Sequence, residues 1–332
     1  MNYWDRSVRN AALENVAFGP RHRTLLGYFE DIDKTQAVYR IWMWLPQFIL
    51  ITLVKEAVNS QLTAKTGVDL MTIDDSWDYP PNHPISPERA AELIRGELGN
   101  YYLDMMRRAC SPFYWHAPGI NGHRRICANG TLTYVRSDER VFGVTANHVL
   151  AAYLEQCDEP GVVLQLGNAR FTANPIASSS ELDLVTFTLP PTIAGTVQKE
   201  ITPVPLPRPG DEPQEGRGIM LAGFVGDERR EGPGSRVDWG MLGVLGVARR
   251  VTQKQITWSP DRKRNIDALD FPANKDLGGI SGGPLIAWFE KAGGLLAYHS
   301  LAGIVVEANA TIENVVAIRA EYIRPDGTLR PL

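Results

Sequence analysis

Cysteine is scarce in this chain: three residues, Cys110, Cys127 and Cys157, stand at irregular spacings with no C-x-x-C pair. An odd number of thiols closes no complete disulfide framework, and without a C-x-x-C pair the common zinc-ribbon pattern is excluded. A reducing, cytoplasmic setting is therefore expected, with no metal and no cofactor. Charge of one sign is lacking too. The 34 Lys and Arg against 38 Asp and Glu give a formal net charge of -4, so a general attraction for nucleic acid or anionic membrane is excluded. The basic clusters Arg124-Arg125 and Arg262-Lys263-Arg264 are short and read as solvated surface. No apolar run reaches membrane-spanning length. The candidate, IWMWLPQFILITLV from Ile41 to Val54, is broken by Pro46 and Gln47 and falls short of the roughly 20 residues a helix needs to cross a bilayer. It is expected in a domain core. The opening MNYWDRSVRNAALENV scatters its charges and has no apolar run followed by small residues, so no secretory signal is expected.

What is present is ample core material: 332 residues, 44% apolar and 22% charged, enough for more than one folding unit. The patterning changes near residue 110. Upstream, Ser86-Pro87-Glu88 has the chemistry of a helix start: a side-chain acceptor for orphan amides, a proline for the first turn, and an acid for the positive dipole end. Leu93, Ile94, Leu98, Tyr101, Tyr102, Met105 and Met106 follow at three- and four-residue steps, which predicts a helix from about Pro87 to Arg108. Between Asp74 and Ile85, prolines and acids favour an irregular loop. Downstream the stretches are short, β-branched and punctuated by glycine, as in barrels. GTLTYV (130–135) and RVFGVTA (140–146) predict a hairpin ending at Asn147-His148, and LDLVTFTL (182–189) carries Asp183 near its start. A proline-rich stretch then separates a second group of strands.

These readings give a mainly α-helical N-terminal region, 1–110, and an all-β domain, 111–332. Within that domain, barrel one is expected at about 115–190, a linker at about 190–215 and barrel two at about 216–325.

The chemistry is carried by three segments. A serine hydroxyl is a poor nucleophile until a histidine takes its proton, a carboxylate orients that histidine, and amides hold the oxyanion. Thr145-Ala146-Asn147-His148 resembles the T-A-x-H signature of trypsin-like serine peptidases. Gly279-Ile280-Ser281-Gly282-Gly283-Pro284 resembles their G-x-S-G-G-P signature, and Leu182-Asp183-Leu184-Val185 is similar to their aspartate site. The order His, Asp, Ser is that of chymotrypsin-like enzymes, and the resemblance covers the chain from about Ser111 onward. It implies an all-β two-barrel chymotrypsin-like fold, with His148 as base and then acid, Asp183 fixing its tautomer and Ser281 as nucleophile. By the same resemblance the amides of Gly279 and Ser281 form the oxyanion hole, and the glycines supply backbone conformations that a side chain would obstruct.

The resemblance also places substrate contacts. Gly303 to Ala308 is similar to the strand on which extended peptide adds, putting Val306, Glu307 and Ala308 beside the substrate. The pocket floor falls at Lys275 with Asp276 beside it, and their opposite charges leave the substrate preference open. Two departures from the secreted members matter. Val149 stands where they carry a disulfide-bonded cysteine, implying a disulfide-free version. Ile280 stands where their zymogens carry an aspartate that pairs with a freed amino terminus, so activation by such cleavage is not expected. The implied partner is a protein or peptide substrate, with a regulatory or targeting partner at residues 1–110. Two further readings stay open: a catalytically silent binding module, and a peptidase acting only on itself or on one partner.

Overall fold

The computed structural model describes residues 83–95, 97–119, 124–231, 237–260, 276–291, 295–309 and 314–332. The segment Ile41 to Val54, the loop from Asp74 to Asn82 and Lys275 lie outside the described residues. The short strand β1 (His83–Pro84) leads to α1 (Pro87–Ile94), whose cap matches its sequence: Ser86 Oγ accepts from the Arg89 amide at 3.2 Å. The single helix expected to Arg108 is two. Arg95 is extended (φ -79°, ψ 137°) and α2 runs Glu97–Ala109. The break falls just before Gly96 in sequence, and glycine is about 1 kcal/mol worse than alanine in a helix.

The strands that follow are β2 (Cys110–Pro118), β3 (Arg124–Arg136) and β4 (Val141–Ala146), then α3 (Asn147–Leu154). Next come β5 (Val163–Leu166), β6 (Ala169–Arg170), β7 (Pro175–Ser179) and β8 (Leu184–Thr188). The connecting stretch holds α4 (Ile193–Val197) and β9 (Val204–Pro205). The last set is β10 (Gly218–Glu231), β11 (Val237–Val251), β12 (Gln255–Pro260), β13 (Pro284–Lys291), β14 (Leu295–Asn309) and β15 (Asn314–Arg319). The first sheet has the order β6-β5-β2-β3-β4-β8-β7, with β9 parallel to β3. In the second, β13-β10-β11-β12-β15-β14 closes into a barrel through the β13–β14 pairing, and β1 adds to β13. The chain is thus mostly β, with one closed six-stranded barrel and a further sheet.

Alternation along β3 shows how these layers meet. Leu132 and Tyr134 enter the core of the first sheet with Phe113, Trp115 and Phe187. Val135, on the opposite face, joins a second core with Phe142, Leu184, Met220, Trp288 and Ile304. Tyr102, Met105, Met106 and Ala109 of α2 are buried in that same core. The boundary expected near residue 110 is therefore corrected. Helix α2 passes directly into β2, and the compact unit holding the barrel spans Tyr79–Leu332. An apolar stripe must be covered, and the barrel wall covers this one. Tyr101, expected on the stripe, is instead 51% exposed. The connecting stretch reinforces the junction, as Lys199 Nζ donates to the carbonyls of Arg107, in the last turn of α2, and Cys110, the first residue of β2. All three cysteines are free thiols, and among the described residues no helix is long and apolar enough to cross a membrane.

Candidate active site

Strand register brings the first two residues together. In the antiparallel β4–β8 pair Ala146 lies opposite Leu184, so the residues just beyond β4 and just before β8 share one end of the sheet. These are Asn147-His148, opening α3, and Asp183. Helix α3 has no side-chain cap of its own, since Ala146 occupies the N-cap position. Its first orphan amides are taken by Asp183 instead. The Asn147 N–H donates to the Asp183 carbonyl at 3.0 Å, and the His148 N–H to Asp183 Oδ1 at 2.8 Å. The second carboxylate oxygen, Oδ2, lies 2.7 Å from His148 Nδ1. One carboxylate therefore caps the helix, where an anion suits the positive end, and fixes the imidazole. Asp183 reaches this position with φ 52°, a left-handed conformation that Asp tolerates better than most residues. Buried Leu182 and Leu184 anchor it on both sides. The imidazole is half exposed and the carboxylate side chain 30% exposed, so the pair is accessible to solvent.

The serine sits on a doubly turned loop. The Ile280 N–H donates to the Leu277 carbonyl at 3.0 Å with Gly279 at φ 96°, and the Gly283 N–H to the Ile280 carbonyl at 2.8 Å with Gly282 at φ 91°. Positive φ at the third position of each makes them consecutive type II turns sharing Ile280. Both glycines are obligatory. A Cβ at Gly279 would lie 1.8 Å from Asn129 Nδ2, and one at Gly282 would lie 1.9 Å from the Thr131 carbonyl oxygen. The Ile280 side chain is fully buried in the barrel core with Leu221, Leu285 and Val305, which holds the loop from beneath.

The loop's amides alternate. Gly278 N–H donates to Asp276 Oδ1 (2.9 Å), Ile280 and Gly283 close the turns, and Gly282 N–H donates to the Val305 carbonyl (2.7 Å). Of the six amides from Gly278 to Gly283, two are left, those of Gly279 and Ser281, which have no acceptor among the described residues. Free donors in the left-handed turn of a glycine loop form a concavity suited to a developing negative charge.

Strand β3 joins the two halves at Gly130. A Cβ there would meet Val149 Cγ1 at 2.7 Å and the Ser281 carbonyl oxygen at 3.2 Å. The glycine thus lets the serine loop and the helix bearing His148 approach one point from two sides. The Thr131 amide donates to the Ser281 carbonyl at 2.8 Å, and Thr145 Oγ1, three residues before His148, donates to the Thr131 carbonyl at 2.6 Å. The serine loop and the start of α3, which carries His148, thus both lie against β3.

The expected substrate contacts divide. Asp276 is exposed and uses its carboxylate on the Gly278 amide. On β14, pairing with β13 ends at Pro284↔Ile304, while pairing with β15 continues through Glu307↔Val316 and Ala308↔Val315. Beyond Ile304 one edge of β14 is therefore free of β13. Val306, at an irregularity between Val305 and Glu307, is half buried, and Glu307 is exposed. Thr131 and Asn129 were not expected at the site. The sequence signal was the alternation in GTLTYV, which puts Thr131 and Thr133 on one face, and Thr133 Oγ1 indeed donates to the Gly282 carbonyl at 2.7 Å. No protein-family model and no curated protein sequence matches the chain.

Proposed function

We propose that the chain is a serine endopeptidase of the two-barrel, chymotrypsin-like kind, and that His148, Asp183 and Ser281 are its triad. The observation that carries this reading is the serine loop's hydrogen bonding: between Gly278 and Gly283 the two amides without an acceptor among the described residues are those of Gly279 and Ser281, which an oxyanion hole requires. The Asp183 contact to Nδ1 supports it, because a proton held there leaves Nε2 free to accept the one on Ser281 Oγ. In this reading Ser281 Oγ attacks the scissile carbonyl as His148 takes its proton. The oxyanion rests on the two amides, the carbon–nitrogen bond breaks, and His148 returns the proton to the leaving amine. Water then repeats the sequence on the acyl-enzyme. Extended peptide adds to the free edge of β14 at Val306 to Ala308, and the three free thiols fit a cytoplasmic setting.

The test is a fluorophosphonate probe on the full chain, read by mass spectrometry. The Ser281 oxygen displaces fluoride from phosphorus only where the hydroxyl is activated. Labelling at Ser281, lost in Ser281→Ala and His148→Ala, is the expected result. An unlabelled wild-type chain, or a Ser281→Ala variant that still cleaves peptides at the wild-type rate, overturns the proposal and favours a binding module.

A further inference from the structure

Two side chains of β3 reach across to the serine loop, and no step of the reaction above uses them. Thr131 is fully buried. Its Oγ1 donates to the Gly279 carbonyl at 3.1 Å and accepts from the Phe224 amide of β10 at 2.9 Å. Asn129 Nδ2 donates to the carbonyl of the same Phe224 at 3.3 Å, and its amide group covers the α-carbon of Gly279 on the side where a Cβ would stand. Both ends of the Phe224 residue are thus held from the first sheet. Two residues on, the Gly226 N–H donates to the Gly278 carbonyl at 2.8 Å.

That last bond governs the oxyanion donor. The Gly278 carbonyl and the Gly279 N–H belong to one planar trans peptide and point in opposite directions. Holding the carbonyl therefore aims the N–H. A peptide between two glycines rotates readily, because neither neighbour restricts φ or ψ. The plane before Gly279 is held by Gly226, and the plane after it by Thr131 together with the Ile280 amide. Gly226 follows Phe224 where the β10–β11 register shifts, between Phe224 and Arg229, so strand pairing does not fix it there.

We infer that Thr131 and Asn129 are positioning residues for the oxyanion amide of Gly279, locking the Gly278-Gly279 peptide through Phe224 and Gly226 so that the amide is held in the orientation the reaction needs. The inference rests on the peptidase reading and adds to it that docking of the first sheet on the barrel is what sets the oxyanion hole.

Thr131→Val keeps shape and volume but removes both hydroxyl bonds, Thr131→Ser restores them, and Asn129→Ala loosens the second contact. The measurement is fluorophosphonate labelling at varied probe concentration, which separates the maximal rate from the probe affinity. Thr131→Val should lower the maximal rate at least about tenfold, toward the ~10²–10³ that loss of an oxyanion donor costs, with affinity changed less than about threefold. Thr131→Ser should recover most of the rate, and Asn129→Ala should fall between. A folded Thr131→Val that labels at the wild-type rate overturns the inference while leaving the peptidase reading intact. A wild-type chain that never labels overturns that reading, and the inference with it. Should Thr131→Val fail to fold, Asn129→Ala decides: an unchanged maximal rate refutes the role, and a selective loss supports it.

Discussion

Asp183→Asn changes one atom of the candidate site, and the geometry dictates its effect. The carboxylate of Asp183 accepts twice, from the His148 backbone N–H at 2.8 Å and at His148 Nδ1 at 2.7 Å. An asparagine has a single oxygen. The backbone amide is a donor that cannot change, so turning the side-chain NH2 toward it would leave donor facing donor, at about 1–3 kcal/mol. The oxygen therefore goes to the backbone and the NH2 to Nδ1. Nδ1 must then accept, which moves the ring proton to Nε2 and, in the proposed peptidase, leaves no base for Ser281. Inverting the tautomer in this way costs a serine triad about 10⁴-fold, or roughly 5.5 kcal/mol of barrier. The fold should survive, because asparagine also tolerates the left-handed φ of 52° and keeps the helix cap. Asp183→Ala, by contrast, loses the cap as well and should cost about 1 kcal/mol of stability. Labelling rate and turnover of a peptide ester give the first effect, and urea denaturation gives the second. A folded Asp183→Asn within tenfold of wild-type turnover would refute the assigned tautomer and the role of Asp183.

Gly282→Ala should lower stability by at least about 2 kcal/mol, combining left-handed strain with a lost hydrogen bond, since its Cβ would meet the Thr131 carbonyl at 1.9 Å and Thr145 Oγ1 at 2.2 Å; an unchanged urea midpoint would show the loop to be plastic. Burial pushes the Cys110 thiol up to about 12 from an ordinary 9.0. A raised acid favours the fold while protonated, so its contribution is complete below pH 9 and lost as pH climbs toward 12. Cys110→Ala should therefore show a flatter decline in stability above pH 9 than wild type, and parallel curves would refute this. A chain truncated to begin at Ser111 loses Tyr102, Met105 and Met106 and uncovers Trp288 and Met220, so it should aggregate or lose cooperative unfolding; a soluble, sharply melting product would show that α2 is dispensable. The uncut chain should label at Ser281 without prior cleavage, because Ile280 already anchors the loop in the barrel core; labelling seen only after cleavage ahead of β2 would contradict that.

The fold was legible where local chemistry decides local structure. The Ser86 cap, the β3–β4 hairpin and the strands around Asp183 follow from capping atoms and β-branched runs, which act over a few residues. The domain boundary was not, and for a physical reason. The change of pattern at residue 110 is a change of secondary structure from α2 to β2, and an amphipathic helix looks the same whether its stripe meets other helices or a barrel wall. Only the partners reveal which: Tyr102 packs edge-on against Trp288, 5.3 Å between ring centroids. The split of the expected helix was visible only as Gly96, a cost small enough for tertiary packing to overrule.

The site divides along the same line. Gly279 and Gly282 stood out because a backbone with positive φ excludes side chains, a constraint written at the residue itself. Thr131 did not, because a threonine on a strand's polar face reads as solvent-exposed until that face is known to be covered. Both Thr131 and Thr133 are fully buried, and a buried hydroxyl needs a partner. The partners lie 148 and 149 residues away, the carbonyls of Gly279 and Gly282. The two-residue spacing of the threonines therefore meets a three-residue spacing of loop carbonyls, and two tight turns are what shorten the loop enough for both bonds to form. Straightening either turn would strand one hydroxyl in the interface. The conformation that leaves the Gly279 and Ser281 amides free is thus held by the burial of the β3 threonines as much as by the glycines of the motif.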